Sequence, residues 1–284
     1  MSTSASTLTR PARLPLMTVL HYWVAVTVVI GMAFPLVWML YSGFKTNQEI
    51  ATSPLALPAV WNWHHLVEAW QLGNLGRLYL NSLLVTGTSV TALVMIASLA
   101  AYAFARLRFR GRDALFYLLL IGLLLPAQVV IIPLFFLLRD MQLLNTYWAL
   151  ILPYMSWPLA LTIYLLRSYY LTLERELEDA ARIDGANLLQ TYAFVMFPLV
   201  RPALATVVIL NLVNLWNELL FAMLFIQDER LRTLPAGLLA FSGHYLVDYR
   251  LVFAALSITT VPVLVLYFVF QRQVIAGLTT GALD

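Results

Sequence analysis

The 284 residues contain no cysteine. That absence excludes a disulfide framework, a thiolate nucleophile, Cys-ligated zinc and Cys-ligated iron–sulfur clusters. Charge is scarce as well, at 11% of residues, where a soluble domain carries about 25%. The chain is therefore not a water-soluble globule. Hydrophobic residues make up 62%, which excludes disorder, since disorder needs low hydrophobicity and high charge. The net charge of +3 is spread over 17 basic residues with no dense basic stretch outside one short turn, so no nucleic-acid partner is expected. What remains is an integral membrane protein whose solvent is the lipid bilayer.

A spanning helix needs roughly 20 mostly apolar residues. No charge occurs between Arg13 and Lys45, Arg77 and Arg106, Asp113 and Arg139, Asp140 and Arg167, or Arg250 and Arg272. A further run from Pro202 to Ile226 is interrupted only by Glu218. These runs predict six spans, centred on residues 18–40, 80–105, 114–138, 147–167, 203–226 and 251–271. The first is too long for a signal-peptide core and lacks a small-residue cleavage site, so it reads as an uncleaved anchor.

Orientation follows from arginine and lysine. Arg10, Arg13, Arg106, Arg108, Arg110, Arg112, Arg167, Arg175, Arg182, Arg201 and Arg272 fall on one side, and Lys45, Arg77, Arg139, Arg230, Arg232 and Arg250 on the other. The split of 11 to 6 puts both termini on the cytoplasmic side. The chain then divides into an N-terminal segment (1–17), an all-α six-span domain (18–271) and a tail (272–284). Outside lie residues 44–78, 139–146 and 227–249. Trp61, Trp63 and Trp70 with Pro54 and Pro58 suit a short interfacial helix in the first of these.

The longest inner segment is 168–201. Leu173, Leu177, Ala180 and Ala181 recur at helical spacing, with Glu174, Arg175, Glu178 and Arg182 opposite. Glu178–Arg182 and Arg175–Asp179 are expected i,i+4 pairs. Gly185 suits the left-handed position that ends a helix. A second helix carries Leu188, Leu189, Tyr192, Val195 and Met196 on one face; Pro198 is expected to stop it, and Pro202 to open the next span. The result is a helix–Gly–helix hairpin. Five acids (Glu174, Glu176, Glu178, Asp179, Asp184) argue against a pair of helices resting on anionic lipid.

Asp179-Ala180-Ala181, three residues, Gly185, nine residues, then Val195-Met196-Phe197-Pro198 resembles the EAA loop of ABC-importer permeases. That family's pattern is Glu-Ala-Ala, three residues, Gly, nine residues, Ile, one residue, Leu-Pro. The stretch EDAARIDGA (178–186), the Trp216-Asn217 pair and the tail QRQVIAGLTTGA (271–282) are similar to the carbohydrate branch. Length, six spans and inward termini are similar to the smaller permease of maltose-type importers. Asp179, Val195 and Phe197 depart from the pattern while keeping charge sign or apolar character. Asp179 reaches one methylene less far than Glu, and Glu178 is the candidate substitute, about 100° away on an ideal helix.

The resemblance implies a carbohydrate importer subunit that is not an enzyme. Its implied partners are a second homologous permease, a dimeric cytoplasmic ABC ATPase and an extracytoplasmic sugar-binding protein, in a plasma or inner membrane. A polyol or glycerol-phosphate substrate is the alternative cargo. Glu178, Asp179, Ala180, Ala181, Asp184, Gly185 and Pro198 become the coupling residues, and Gln271, Gly277, Leu278 and Thr279 the tail contact with the ATPase. A phosphate loop needs G-x-x-x-x-G-K-[ST]; the single lysine, Lys45, lacks it. No cofactor is therefore expected in this chain, ATP and Mg belonging to the ATPase.

Glu218, beside Asn211, Asn214, Trp216 and Asn217, is expected either to line a hydrated substrate path or to hold two helices together. His64 and His65 diverge as neighbours must, and His21 and His244 are isolated, so no metal site is expected. Gly87, Ser89, Ala92, Ala97, Ser98, Ala100 and Ala101 predict close helix packing. Pro126, Pro133, Pro158 and Pro262 are candidate kinks. The outer segment 227–249 (Asp228, Glu229, Arg230, Arg232, Asp248, Arg250, Gly237, Gly243) is a binding-protein docking surface in relatives, with a solvated connector as the competing reading. An independent secondary transporter would want ionisable residues in several spans; only Glu218 is available.

Overall fold

The computed structural model describes residues 16–244 and 248–280. Among these residues the regular structure is entirely helical. In chain order the helices are α1 (Leu16–Ser42), α2 (Asn47–Thr52), α3 (His64–Leu72), α4 (Leu75–Arg106), α5 (Arg112–Ile121), α6 (Ala127–Asp140), α7 (Trp148–Ser156) and α8 (Leu159–Thr172). Then come α9 (Glu176–Ile183), α10 (Leu188–Gln190), a π-helical stretch (Thr191–Met196), α11 (Phe197–Leu199), α12 (Arg201–Trp216), α13 (Leu220–Phe225), α14 (Leu234–His244) and α15 (Tyr249–Thr280).

Helix α4 is the axis of the fold, packing against α7, α8 and α12. Ser89, Ala97, Ser98 and Ala101 on it are fully covered, as expected of small residues that let backbones approach. Gly87 is not part of that seam; a side chain there would meet open space. Helix α1 behaves oppositely. Trp23, Val29 and Met32 stand out from the protein, and among the described residues the contact with α15 lies at the far end, where Trp38 meets Phe253 at 5.1 Å. A helix apolar all round that its own chain leaves uncovered needs lipid or another subunit around it.

Among the described residues two helices, 20–42 and α4, are each long and apolar enough to cross a bilayer, or up to five spans if each bent pair counts as one. The predicted third span is not straight: it bends by 104° between Leu124 and Gln128, where Pro126 removes a donor and disfavours helix at the preceding residue. The fourth bends by 41° at Trp157–Pro158. Pro133 and Pro262 lie inside unbroken helices. The predicted fifth run is interrupted as well, α12 ending at Trp216 and α13 starting at Leu220. On the predicted outer side, the single interfacial helix becomes two, α2 and α3, with Trp61, Trp63 and Trp70 exposed around them.

Candidate functional site

The inner segment folds as a helix–Gly–helix hairpin. Helix α9 ends when Gly185 adopts φ +82°. The Ala186 amide then donates to the Ala181 carbonyl at 2.9 Å, and the Gly185 amide to that of Arg182 at 3.0 Å, the pairing of a Schellman cap. Two residues on, the Asn187 side chain accepts from the Gln190 amide while the Gln190 side chain accepts from the Asn187 amide, both at 2.9 Å. That capping box starts the second arm. The turn is thus closed by backbone geometry at both ends, and only a glycine suits its centre.

The second arm runs on to Leu199 and does not stop at Pro198. Its Thr191–Met196 stretch is π-helical. Pro198 cannot donate to the carbonyl four residues back, and a looser local turn ahead of it fits that constraint. The chain then bends by 74° into α12, which carries Pro202 in its first turn as expected. Of the face predicted for this arm, Tyr192 and Met196 are buried and Val195 partly so, whereas Leu188 and Leu189 are exposed.

Along α9 and just before it the predicted division holds for Ala181, Glu174, Arg175 and Arg182 and fails at Glu178, Leu177 and Ala180. Glu178 and Ala181 are buried, while Leu177, Asp179, Ala180 and Asp184 are exposed and Ile183 is 86% exposed. The expected Glu178–Arg182 and Arg175–Asp179 pairs give way to Asp179–Arg182 at 3.3 Å and to a long-range pair. Glu178 Oε1 lies 3.5 Å from Arg106 Nε, with the two side chains 7% and 3% exposed. The physical reason is the neighbourhood: the last residue of α4 supplies a buried cation, and an acid turned inward compensates it. Glu178 therefore faces its own chain and cannot replace Asp179 on an outward face.

Arg106 also donates through Nη2 to the Leu173 carbonyl at the end of α8. One turn earlier on α4, the Tyr102 ring meets those of Tyr170 (5.6 Å) and Tyr192 (5.3 Å). One turn earlier again, Ser98 Oγ is 3.0 Å from both the Tyr170 and Tyr192 hydroxyls. Ser98, Tyr102 and Arg106 thus form an i, i+4, i+8 stripe that clamps the hairpin to the helical bundle. Sequence reading placed Arg106 among the charges that set orientation and Ser98 among small packing residues. The four-residue spacing of three polar-tipped residues at a helix end was the signal available.

Elsewhere the polar residues of the fifth run separate. Glu218 accepts from the Phe221 amide at 2.9 Å and the Ala222 amide at 3.3 Å, so it caps α13. It also accepts from the Tyr154 hydroxyl of α7. Trp216 is buried beside Tyr79 at 6.1 Å, and Asn211 is buried, donating to Thr162 Oγ1 at 3.1 Å. Only Asn214 and Asn217 face outward. The side chains of Gln271, Gly277, Leu278 and Thr279 lie outside the described residues, α15 being described there as backbone.

The outer segment 227–249 is tied down as well as charged. Asn81 of α4 donates to the carbonyls of Arg230 (2.9 Å) and Arg232 (2.8 Å) and accepts from the Tyr147 hydroxyl. The Asp228 carboxylate, held by three bonds from the Arg230 guanidinium and one from its amide, has its pKa lowered to about 2. Arg77, Glu229, Arg230, Arg232 and Gly237 line an open recess of about 500 Å³. On α3, His65 is buried with Nε2 3.1 Å from Asn62, an internal contact.

Residues 93–279, which include α5 to α14 and the whole hairpin, match the family described as binding-protein-dependent transport system inner membrane component. The chain belongs to this family. Among its relatives, a probable ABC transporter permease protein of Bacillus subtilis, YurM, is 37% identical over 254 residues, covering 89% of this chain and 84% of its own. The diacetylchitobiose uptake system permease protein NgcG of Streptomyces coelicolor is 37% identical over 249 residues, 87% of this chain and 82% of its own. The trehalose/maltose transport system permease protein MalG of Thermococcus litoralis is 34% identical, covering 91% and 94%. A bacterial ABC transporter chain involved in alginate import shares the fold, with a TM-score of 0.82, 23% identity, and coverage of 93% of this chain and 99% of that one. As a permease, this chain is a transport component and not a member of an enzyme family.

Proposed function

We propose that this permease is one of two homologous membrane subunits of an ATP-driven carbohydrate importer, and that its hairpin is the docking surface for a dimeric cytoplasmic ATPase. The observation that carries this reading is the division of the hairpin. One side is clamped to α4, and the other presents Asp179, Ala180, Ile183, Asp184 and Leu189 uncovered by the described residues. A small, acid-rimmed, partly apolar face on a rigid helix suits a protein cleft and not an anionic lipid surface. Asp179 keeps its carboxylate exposed for a cationic partner, and Gly185 and Pro198 shape the arm. Closure of the ATPase pair would displace the hairpin and with it the spans, driven by the difference in ATP affinity between the two states.

Six spans with both termini and the hairpin on the cytoplasmic side complete this reading. The outer segment with its arginine-lined recess then faces the extracytoplasmic sugar-binding protein. A carbohydrate cargo is favoured by the relatives, whose names specify diacetylchitobiose, trehalose and maltose, and melibiose, raffinose and stachyose. Within the chain, Asn214 and Asn217 are the residues left to meet a hydrated substrate path, since Trp216 and Glu218 are engaged internally. ATP and Mg belong to the ATPase. The test is uptake of a labelled panel (maltose, trehalose, diacetylchitobiose, raffinose) into vesicles holding the full complex. ATP-dependent, binding-protein-dependent uptake of at least one member is the expected result. Uptake by this chain alone without ATP would refute the reading.

A further inference from the structure

The clamp between α4 and the hairpin goes beyond what docking requires. A docking surface needs only an exposed face and enough rigidity to hold it. Here a single guanidinium at the end of α4 contacts two other elements, the end of α8 through the Leu173 carbonyl and the first turn of α9 through Glu178. Both side chains of the ion pair are almost fully covered. Such burial is costly for either charge alone, and here each is compensated by the other. Above them, the Ser98 hydroxyl joins Tyr170 of α8 to Tyr192 of the second arm, and Tyr102 fills the space between these rings. Every layer of the stripe ties α4 to a part of the hairpin or to the helix leading into it.

We infer that Arg106 and Glu178 are positioning residues forming a rigid joint, so that α4 and the hairpin move as one body when the ATPase acts. This inference rests on the proposed docking of the hairpin. The physical argument is the absence of a compliant path. A hairpin held through flexible surface side chains would absorb a displacement by rotamer changes. One held through a buried pair and a buried hydroxyl hub can shift only by exposing charge to a medium that penalises it. Displacement at α9 is therefore passed to the 32 residues of α4, which pack on α7, α8 and α12. The acid one position before the DAA triplet acts inward on the membrane domain, and Asp179 acts outward.

The chain contains no cysteine, so a pair of spin labels can be placed without background. Glu176→Cys at the exposed start of α9 and Leu80→Cys near the far end of α4 are separated by roughly 40 Å along the helix at 1.5 Å per residue, within range of pulsed dipolar spectroscopy. The measurement uses the assembled complex, with cysteine-free partner subunits, without nucleotide and again trapped with ATP and vanadate. In the otherwise wild-type chain the distance should stay narrow and change by less than about 2 Å, the size of an ordinary helix shift. Glu178→Gln and Arg106→Gln should each broaden it or make it nucleotide-dependent, and the double swap Glu178→Arg with Arg106→Glu should narrow it again. Ser98→Ala, a milder change in the same stripe, should act in the same direction if the charge variants do not fold. A wild-type distance that shifts on trapping overturns the joint, as do variants as narrow as wild type. Loss of the ATPase from Glu178→Gln but not from Arg106→Gln would also overturn it, because Glu178 would then face the ATPase. If wild type binds no ATPase, the docking proposal itself fails and this inference falls with it.

Discussion

Glu178 and Asp179 are adjacent acids with opposite surroundings, and the difference is set by about 100° of helix rotation. One turns toward Arg106 and loses contact with water; the other stays exposed beside Arg182. Gly185 is defined just as sharply. Its φ of +82° is costly for any residue with a Cβ, although a Cβ there would meet no atom within 4 Å. Gly185→Ala should therefore destabilise the turn by about 1–2 kcal/mol through the backbone alone, seen as faster hydrogen exchange in residues 181–190 with the bundle unchanged. Asn81→Leu should leave the Arg230 and Arg232 carbonyls without their donor and loosen the outer segment by about 1–3 kcal/mol, read as faster proteolysis within 227–244. The glycine was legible from sequence because helix-ending glycines follow a local rule. Glu178 was not, because its partner lies 72 residues earlier and no local period encodes a long-range pair.

At the scale of elements, apolar runs located the helices but not their breaks. Pro126 and Pro158 act as kinks, while Pro133 and Pro262 do not; a proline in a helix bends it only where neighbours do not satisfy the freed carbonyl. Glu218 was the one visible interruption in the fifth run, and it proves to cap α13 instead of being exposed to a path. Close approach is a feature of the α14–α4 contact, where a Cβ on Gly237 would lie 2.3 Å from Leu78 Cδ1. Gly237→Val should force α14 off α4 and lower stability by about 1–3 kcal/mol, measured as a drop in the melting temperature of the purified complex.

Helix α3 should respond to pH. The His65 pKa is lowered from 6.5, chiefly by burial and then by Arg250, with Glu68 and Asp248 opposing and His64 adding slightly to the depression. The folded state thus resists protonation that the unfolded segment accepts. Stability contributed by this site is complete above about pH 6.5 and is lost as pH falls from there toward the lowered value. The protection of α3 amides, measured as exchange relative to the intrinsic rate at each pH, should fall between pH 7 and 5, and His65→Gln should remove most of that dependence.

Across the whole molecule, one axis organises the chain. Helix α4 carries the packing seam in its middle, the Asn81 anchor of the outer segment at one end and the hairpin clamp at the other. The composition made a membrane protein legible, and the hairpin motif made the family legible, because both depend on residue type and spacing. The inward side of the hairpin was hidden, since tertiary burial and not periodicity decides which face of a short charged helix is covered. The account assigns the hairpin and the outer segment to opposite membrane faces. Single cysteines at Leu189 and Gln227 should accordingly react with an impermeant maleimide from opposite sides of sealed vesicles.

The central claim is that the exposed side of the hairpin holds the ATPase. The most direct measurement is co-purification of the ATPase in detergent with wild type, Ala180→Arg, Ile183→Glu and, as a control on the outer segment, Gln227→Arg. The account predicts that wild type and Gln227→Arg retain the ATPase, and that Ala180→Arg and Ile183→Glu lose it while keeping the second permease. Retention by all four would contradict it, and would place the docking surface elsewhere on the chain.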